Sequence, residues 1–341
     1  MSHRLARFLF AAFLVLPAWA NAGVGIAAFE AADPIAGGSM PGYVFYPTQA
    51  PTGTATIGPY AVAAAFDAPA TPGAKPLVVI SHGHGGSSLG HHDLAAHLAG
   101  HGFIVATFEH PKDNFRDTSG NGRVEVMGGR PLQVAAVTSA LLAAPRWQPL
   151  VDADRIGVAG FSAGGYTSLL VVGAEPRFGR FIGYCERNPD DAAICGLVQQ
   201  LGEGAAQTLA SLQAEFEGLG GTADPRVKAA FVMAPQAIPF GEEELAAIDR
   251  PVFLYHGEHD RVLRPSENAQ RIAPLIATLE RSVVVPKADH WVFLAPCSAE
   301  LARAIGELCR DPEGVDRAAV HAQVNADALA FFRRALDVAS E

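Results

Sequence analysis

The chain has 341 residues, 49% of them hydrophobic and 18% charged, with a formal net charge of −10. That length and apolar content suffice for a large packed core without a structural metal. The acidic balance lacks the basic face that a nucleic-acid partner requires, so none is expected.

The N-terminus reads as a secretory signal over residues 1–22. Arg4 and Arg7 precede the apolar run Phe8 to Leu16, and Ala20-Asn21-Ala22 supplies the small-x-small pattern that comes before a cleavage site. The run is too short for the ~20 residues that cross a bilayer, so no stable membrane span is expected. The expectation is an exported protein, periplasmic or secreted, whose mature domain starts at Gly23. In an oxidising compartment the four cysteines, Cys185, Cys195, Cys297 and Cys309, point to disulfides. Three pairings are possible, and the two close-spaced ones are the simplest. No C-x-x-C spacing suggests a zinc or redox site.

From Gly23 to about Ala74 the chain is rich in Gly, Pro, Ala and Thr, with short strands expected at Tyr43–Tyr46 and Tyr60–Val62. Leu77-Val78-Val79-Ile80 is a continuous apolar run that suits a strand buried on both faces. A helix is expected from His91 to Gly100, a strand at Phe103–Ala106 and a helix at Pro131–Leu142. Arg155–Gly160 then reads as a strand and Ala163–Val172 as a helix. Residues 176–226 interrupt this rhythm as an insertion, helical near Gln199–Phe216. Strands are expected again at Val227–Ala234, Val252–Tyr255 and Val283–Val285. Helices are expected at Glu242–Ile248, Asn268–Leu279, Glu300–Leu308 and Asn325–Leu336. Such alternation implies a mostly parallel sheet with helices on both faces.

Gly160-Phe161-Ser162-Ala163-Gly164 is a G-x-S-x-G motif between a strand and a helix, the setting of a nucleophile elbow. A serine hydroxyl needs a base, and in this arrangement an acid and a histidine follow it in chain order. Asp260 and His290 meet that order, each just beyond a predicted strand. Glu258 and Asp289 remain alternative acids, and His256, His259 and His321 alternative bases. An oxyanion would need two backbone donors. Ala163, after the nucleophile, is one. The glycine-rich loop Ser81–Gly86 offers the other, with His84 chosen and Gly83 as its neighbour. His97 and His101 share a helical face at i, i+4 spacing, but no carboxylate completes a metal set there, so no metal and no cofactor are expected.

These motifs resemble those of the dienelactone-hydrolase-like branch of the α/β-hydrolases, and within it bacterial relatives of platelet-activating-factor acetylhydrolases. The likeness lies in Gly42–Pro47, Pro76–Gly83, Leu98–Ala106 and Gly160–Gly165, and near the end in Phe293–Cys297, Asp316-Arg317 and His321. It implies the α/β-hydrolase fold with 176–226 as a lid insertion. It also implies ester hydrolysis, with Ser162, Asp260 and His290 as the triad. True dienelactone hydrolases carry cysteine where this chain has Ser162. A small-molecule ester is therefore the expected substrate, attacked to form an acyl-enzyme on Ser162. The alternatives are a serine peptidase of the same fold and a non-catalytic binding protein that keeps it. Nothing in the sequence sets an oligomeric state.

Overall fold

A computed structural model describes residues 23–338. The signal expected over 1–22 lies outside them. The strands are β1 (Gly23–Ala32), β2 (Ser39–Thr48), β3 (Ala55–Ile57), β4 (Tyr60–Val62), β5 (Ala65–Phe66) and β6 (Lys75–Ser81), followed by β7 (Ile104–Phe108), β8 (Val151–Phe161), β9 (Val227–Met233), β10 (Val252–Gly257) and β11 (Leu279–Val285). Nine of them form one sheet in the order β11-β10-β9-β8-β6-β7-β2-β1-β5, and β3 pairs with β4 alone. From β7 through β11 the pairings are parallel, while β2 lies antiparallel to both β7 and β1.

Helix α1 (His92–Gly100) follows β6. Helices α2 (Val124–Met127) and α3 (Gly129–Ala143) precede β8, and α4 (Ala163–Val171) leaves it. Three helices fill the expected insertion: α5 (Arg180–Arg187), α6 (Ala192–Leu201) and α7 (Ala205–Glu217). Short helices α8 (Glu242–Leu245), α9 (Ala269–Ile272) and α10 (Ala299–Ala304) come before the long α11 (Arg317–Ala335).

Period-two alternation divides the core between the two faces of the sheet. Leu77 and Val79 of β6 join one apolar cluster with Val134, Val137 and Leu141 of α3 and Leu169 and Leu170 of α4. Val78 and Ile80 join the other, with Leu94 and Leu98 of α1 and Phe331 and Phe332 of α11. The central strands are therefore covered on both sides, and the loops at their carboxyl ends are free to build a site.

Several expected boundaries moved for local reasons. The helix foreseen over Asn268–Leu279 shrinks to α9, because Pro274 follows in a 3₁₀ turn at Ala273–Leu275. The stretch Gln199–Phe216 is two helices broken at Gly202, whose φ is +52°. Helix α11 starts earlier than expected because the Asp316 carboxylate caps it, accepting the Ala319 N–H. No helix among the described residues is long and apolar enough to cross a membrane.

Candidate active site

Strand β8 and helix α4 meet at Ser162, which is held at φ +56° and ψ −116°. That region is costly for a residue with a side chain and persists only where the surroundings enforce it. Here the Ser162 N–H donates to Met233 O at 2.9 Å, and the Ser162 carbonyl accepts from Tyr166 at 3.0 Å and Gln236 at 3.2 Å. Close packing explains the flanking glycines. A Cβ on Gly160 would lie 2.1 Å from Gly164 O, and one on Gly164 only 1.9 Å from Ser81 O.

Strands β10 and β11 deliver the next pair. His290 sits in a 3₁₀ turn, His290–Phe293, just past β11, and Asp260 lies in the loop after β10. Both are buried. His290 Nδ1 donates to Asp260 Oδ2 at 2.6 Å, while Asp260 Oδ1 accepts the N–H groups of Val262 and Leu263 at 2.9 and 2.7 Å. With Nδ1 as the donor, Nε2 is the free basic nitrogen. Among the described residues Nε2 has no hydrogen-bond partner, and no hydrogen bond joins it to the Ser162 hydroxyl. The His290 ring packs on Phe161, the residue before Ser162, at 4.7 Å between centroids.

Asp289, Glu258 and His321 are engaged elsewhere. Asp289 is paired with Arg261 and accepts the His290 N–H at 2.8 Å. Burial opposes its charge, but the Arg261 and His290 N–H groups and the Arg261 guanidinium hold its carboxyl below the usual range. Exposed Glu258 accepts the Lys287 N–H at 2.7 Å. His259 is exposed, and burial lowers the pKa of His256. His321 bonds Asp93 Oδ2 at 2.6 Å and Val292 O at 2.9 Å. Held between these two groups, the imidazole braces the His290 turn from behind.

The loop after β6 is built on a buried polar network that sequence reasoning missed. A Cβ on Gly83 would lie 3.3 Å from Ser162 Cβ, which brings this loop against the serine. His82 Nε2 accepts the His110 N–H at 3.1 Å, which leaves Nδ1–H to donate to Gly83 O at 2.7 Å. Burial, with Arg130 nearby, drives the pKa of His82 down to about 3, so the ring stays neutral. The Gly86 N–H also donates to Gly83 O, at 3.0 Å. Across the trans peptide, the His84 N–H must point the opposite way, out of the network. Among the described residues, neither that N–H nor the one on Ala163 meets an acceptor.

Beneath this loop lies a dry ion pair. Arg130, 1% exposed, reaches Asp113 Oδ2 at 2.5 Å and also donates to His82 O and to Ser81 Oγ. Asp113 Oδ1 accepts from His84 Nδ1 at 2.5 Å and from Gly85 N–H at 3.1 Å. Burial alone would raise the Asp113 pKa, but Arg130, His84 and Gly85 together hold it well below the carboxylate range. His110 continues the chain, from Ser81 Oγ at 2.9 Å to Gln133 Oε1 at 2.7 Å. The available signal was slight: one arginine at the start of an otherwise apolar helix. Charged residues are mostly exposed, so nothing marked Arg130 as buried.

The cysteines pair as Cys185–Cys195, joining α5 to α6, and Cys297–Cys309 beyond the His290 turn. The His97 and His101 rings lie tilted with centroids 4.5 Å apart, and His101 Nδ1 bonds His97 O at 2.7 Å.

Residues 53–120, which carry the Ser81–Gly86 loop and Asp113, match the family model described as platelet-activating factor acetylhydrolase, isoform II. The motifs from Gly160 onward that share the resemblance lie outside that match. Among solved structures, the chain is similar to the ferulic acid esterase from Streptomyces cinnamoneus, at 20% identity and a TM-score of 0.63. The alignment covers 96% of this chain and 94% of that one. Among curated proteins, none matches the chain in sequence. The likeness establishes the α/β-hydrolase fold, as the motifs implied.

Proposed function

We propose that the protein is a serine esterase that cleaves carboxylic esters through an acyl-enzyme on Ser162. One observation carries the reading. A serine is held at positive φ on a strand-to-helix turn, and the ring of the residue before it packs on a buried histidine whose Nδ1 is committed to a carboxylate and whose Nε2 is free. The family description and the esterase among the solved structures agree with this chemistry.

Ser162 Oγ attacks the ester carbonyl while His290 Nε2 takes its proton, and Asp260 stabilises the imidazolium that forms. The tetrahedral oxyanion is held by the N–H groups of His84 and Ala163, both aimed away from protein acceptors. His290 then protonates the departing alcohol, and a water that it activates releases the acid. Resting-state hydrogen bonds in such sites are often long and tighten around substrate, which accounts for the open Ser162–His290 contact. In this reading the helices of 176–226 form the lid. The two disulfides fit the export expected from the N-terminal sequence.

A fluorophosphonate probe should label Ser162, and Ser162→Ala should abolish both labelling and p-nitrophenyl ester turnover. Full turnover by Ser162→Ala, or label on another residue, rejects the assignment.

A further inference from the structure

A crevice of about 290 Å³, lined mostly by apolar side chains, opens between the insertion helices and the loop that leads into α2. Met127, Phe181, Ile194, Leu197, Leu209 and Leu212 form its walls, and the amides of Asn121 and Gln236 are its polar groups. No charged side chain lines it among the described residues. Two of its residues are bonded to the elbow. Gln236 donates its N–H to the Ser162 carbonyl, and Met127 O accepts the hydroxyl of Tyr166, which stands one turn beyond Ser162.

The chemistry assigns a side to this crevice. A leaving alcohol must take its proton from His290, so it departs beside the Asp260 and His290 loops. None of the crevice residues comes from those loops. A pocket bonded to the elbow through Gln236 and away from those loops is placed to receive the acyl group instead. An apolar wall cannot satisfy a charge or a row of hydroxyls, so it selects an uncharged hydrocarbon or aryl group. At the ~30 Å³ that a water-sized group occupies in a liquid, the space holds roughly six to ten heavy atoms.

We infer that this crevice is the acyl subsite, and that the substrates are esters of an apolar, uncharged acid much longer than acetate. The inference rests on the serine-esterase reading and adds the substrate class to it. Cys195 lies on α6 between Ile194 and Leu197, so the Cys185–Cys195 bond fixes the wall that the acyl group meets.

The test is a ladder of p-nitrophenyl acetate, butyrate, hexanoate and octanoate. Burial of about 0.8 kcal/mol per methylene corresponds to a roughly fourfold rise in kcat/KM per added methylene until the crevice is full. Leu197→Glu places a carboxylate in the wall at an exposed position, where folding is little affected. Gly196→Leu takes up volume, since a Cβ there meets nothing within 4 Å. Each should cut the octanoate-to-acetate ratio at least tenfold. A flat ladder in the wild type, or a ratio unchanged in both variants, overturns the acyl subsite. Fluorophosphonate labelling separates the failures. A labelled protein with a flat ladder loses only the subsite, and an unlabelled protein without turnover loses the serine reading as well.

Discussion

Arg130→Met tests whether the ion pair beneath the Ser81–Gly86 loop organises the site. In the wild type both partners are buried at 2.5 Å, and Asp113 also holds His84 and Gly85. Methionine fills much of the arginine stem but leaves the carboxylate without its cation. Removing one partner of a buried pair costs about 3–5 kcal/mol, because the remaining charge is stranded in a dry setting. At about 2 °C per kcal/mol for a chain of this size, Tm should drop by roughly 6–10 °C. Pairing the change with Asp113→Asn removes the stranded charge while keeping an oxygen for Gly85. The double variant should thus be clearly more stable than the sum of the two single losses predicts. Urea unfolding with disulfides intact measures all three variants. Kinetics add a second axis: a misaimed His84 N–H should lower kcat by about 10²–10³ with KM little changed. A loss under about 1 kcal/mol for Arg130→Met, or strict additivity in the double variant, refutes the argument.

Asp260→Asn preserves shape but removes the charge that fixes the His290 tautomer, and kcat should fall by about 10⁴. Stopped assays on any accepted ester check this, and a loss under tenfold would shift the acid's role elsewhere. Acid should destabilise the protein before its carboxylates titrate. His82 and His91 bind protons near pH 6.5 when unfolded, but burial lowers them to about 3 and about 4 in the fold. The unfolded chain therefore gains protons first, and stability falls by about 1.4 kcal/mol per pH unit for each imidazole as pH drops from about 6.5 toward 4. Asp93 and Asp113, both held below their usual range, add a further loss below about pH 4. Urea midpoints that are equal at pH 7.5 and 5 would contradict this. Reduction of the two disulfides should cost about 2–4 kcal/mol each by freeing the unfolded chain. Unfolding with and without reductant reports it, with mass spectrometry counting the thiols.

Legibility followed from how local each signal was. The G-x-S-x-G turn and the runs at Leu77–Ile80 and Val252–Tyr255 are short-range patterns that marked the central strands and Ser162, and chain order after the elbow pointed to Asp260 and His290. Strand β1 escaped notice because Gly, Ala and Glu have little strand preference. It exists through its ten-residue antiparallel register with β2, which no local pattern announces. The Arg130–Asp113 pair was hidden for a similar reason. The partners are 17 residues apart, on different elements, and each alone reads as surface charge. Chain order could not choose between Asp260 and Asp289 either. In the fold Asp289 pairs with Arg261 and Asp260 with the imidazole, contacts that lie outside any local pattern.

The histidines of 82–110 acquire a purpose once the loop is seen as something to be aimed. A donor pointed at a developing oxyanion must stay free in the resting protein, and a free N–H on a glycine-rich loop would otherwise turn inward to find an acceptor. His82 and Gly86 prevent this by holding the opposite end of the same peptide, the Gly83 carbonyl. A cation in place of His82 would face Arg130 across a buried space, and an apolar residue would leave the His110 N–H without a partner and Gly83 O with the Gly86 N–H alone. A neutral imidazole donates on one side and accepts on the other, so it meets both needs without charge. The same logic runs through His110 to Ser81 and Gln133, and it ends at the Asp113–Arg130 pair, whose opposite charges cancel within the core. His82 and His110 thus serve as a proton-ordered brace beneath the loop. In the proposed mechanism, this neutral brace would keep the His84 N–H free for the oxyanion.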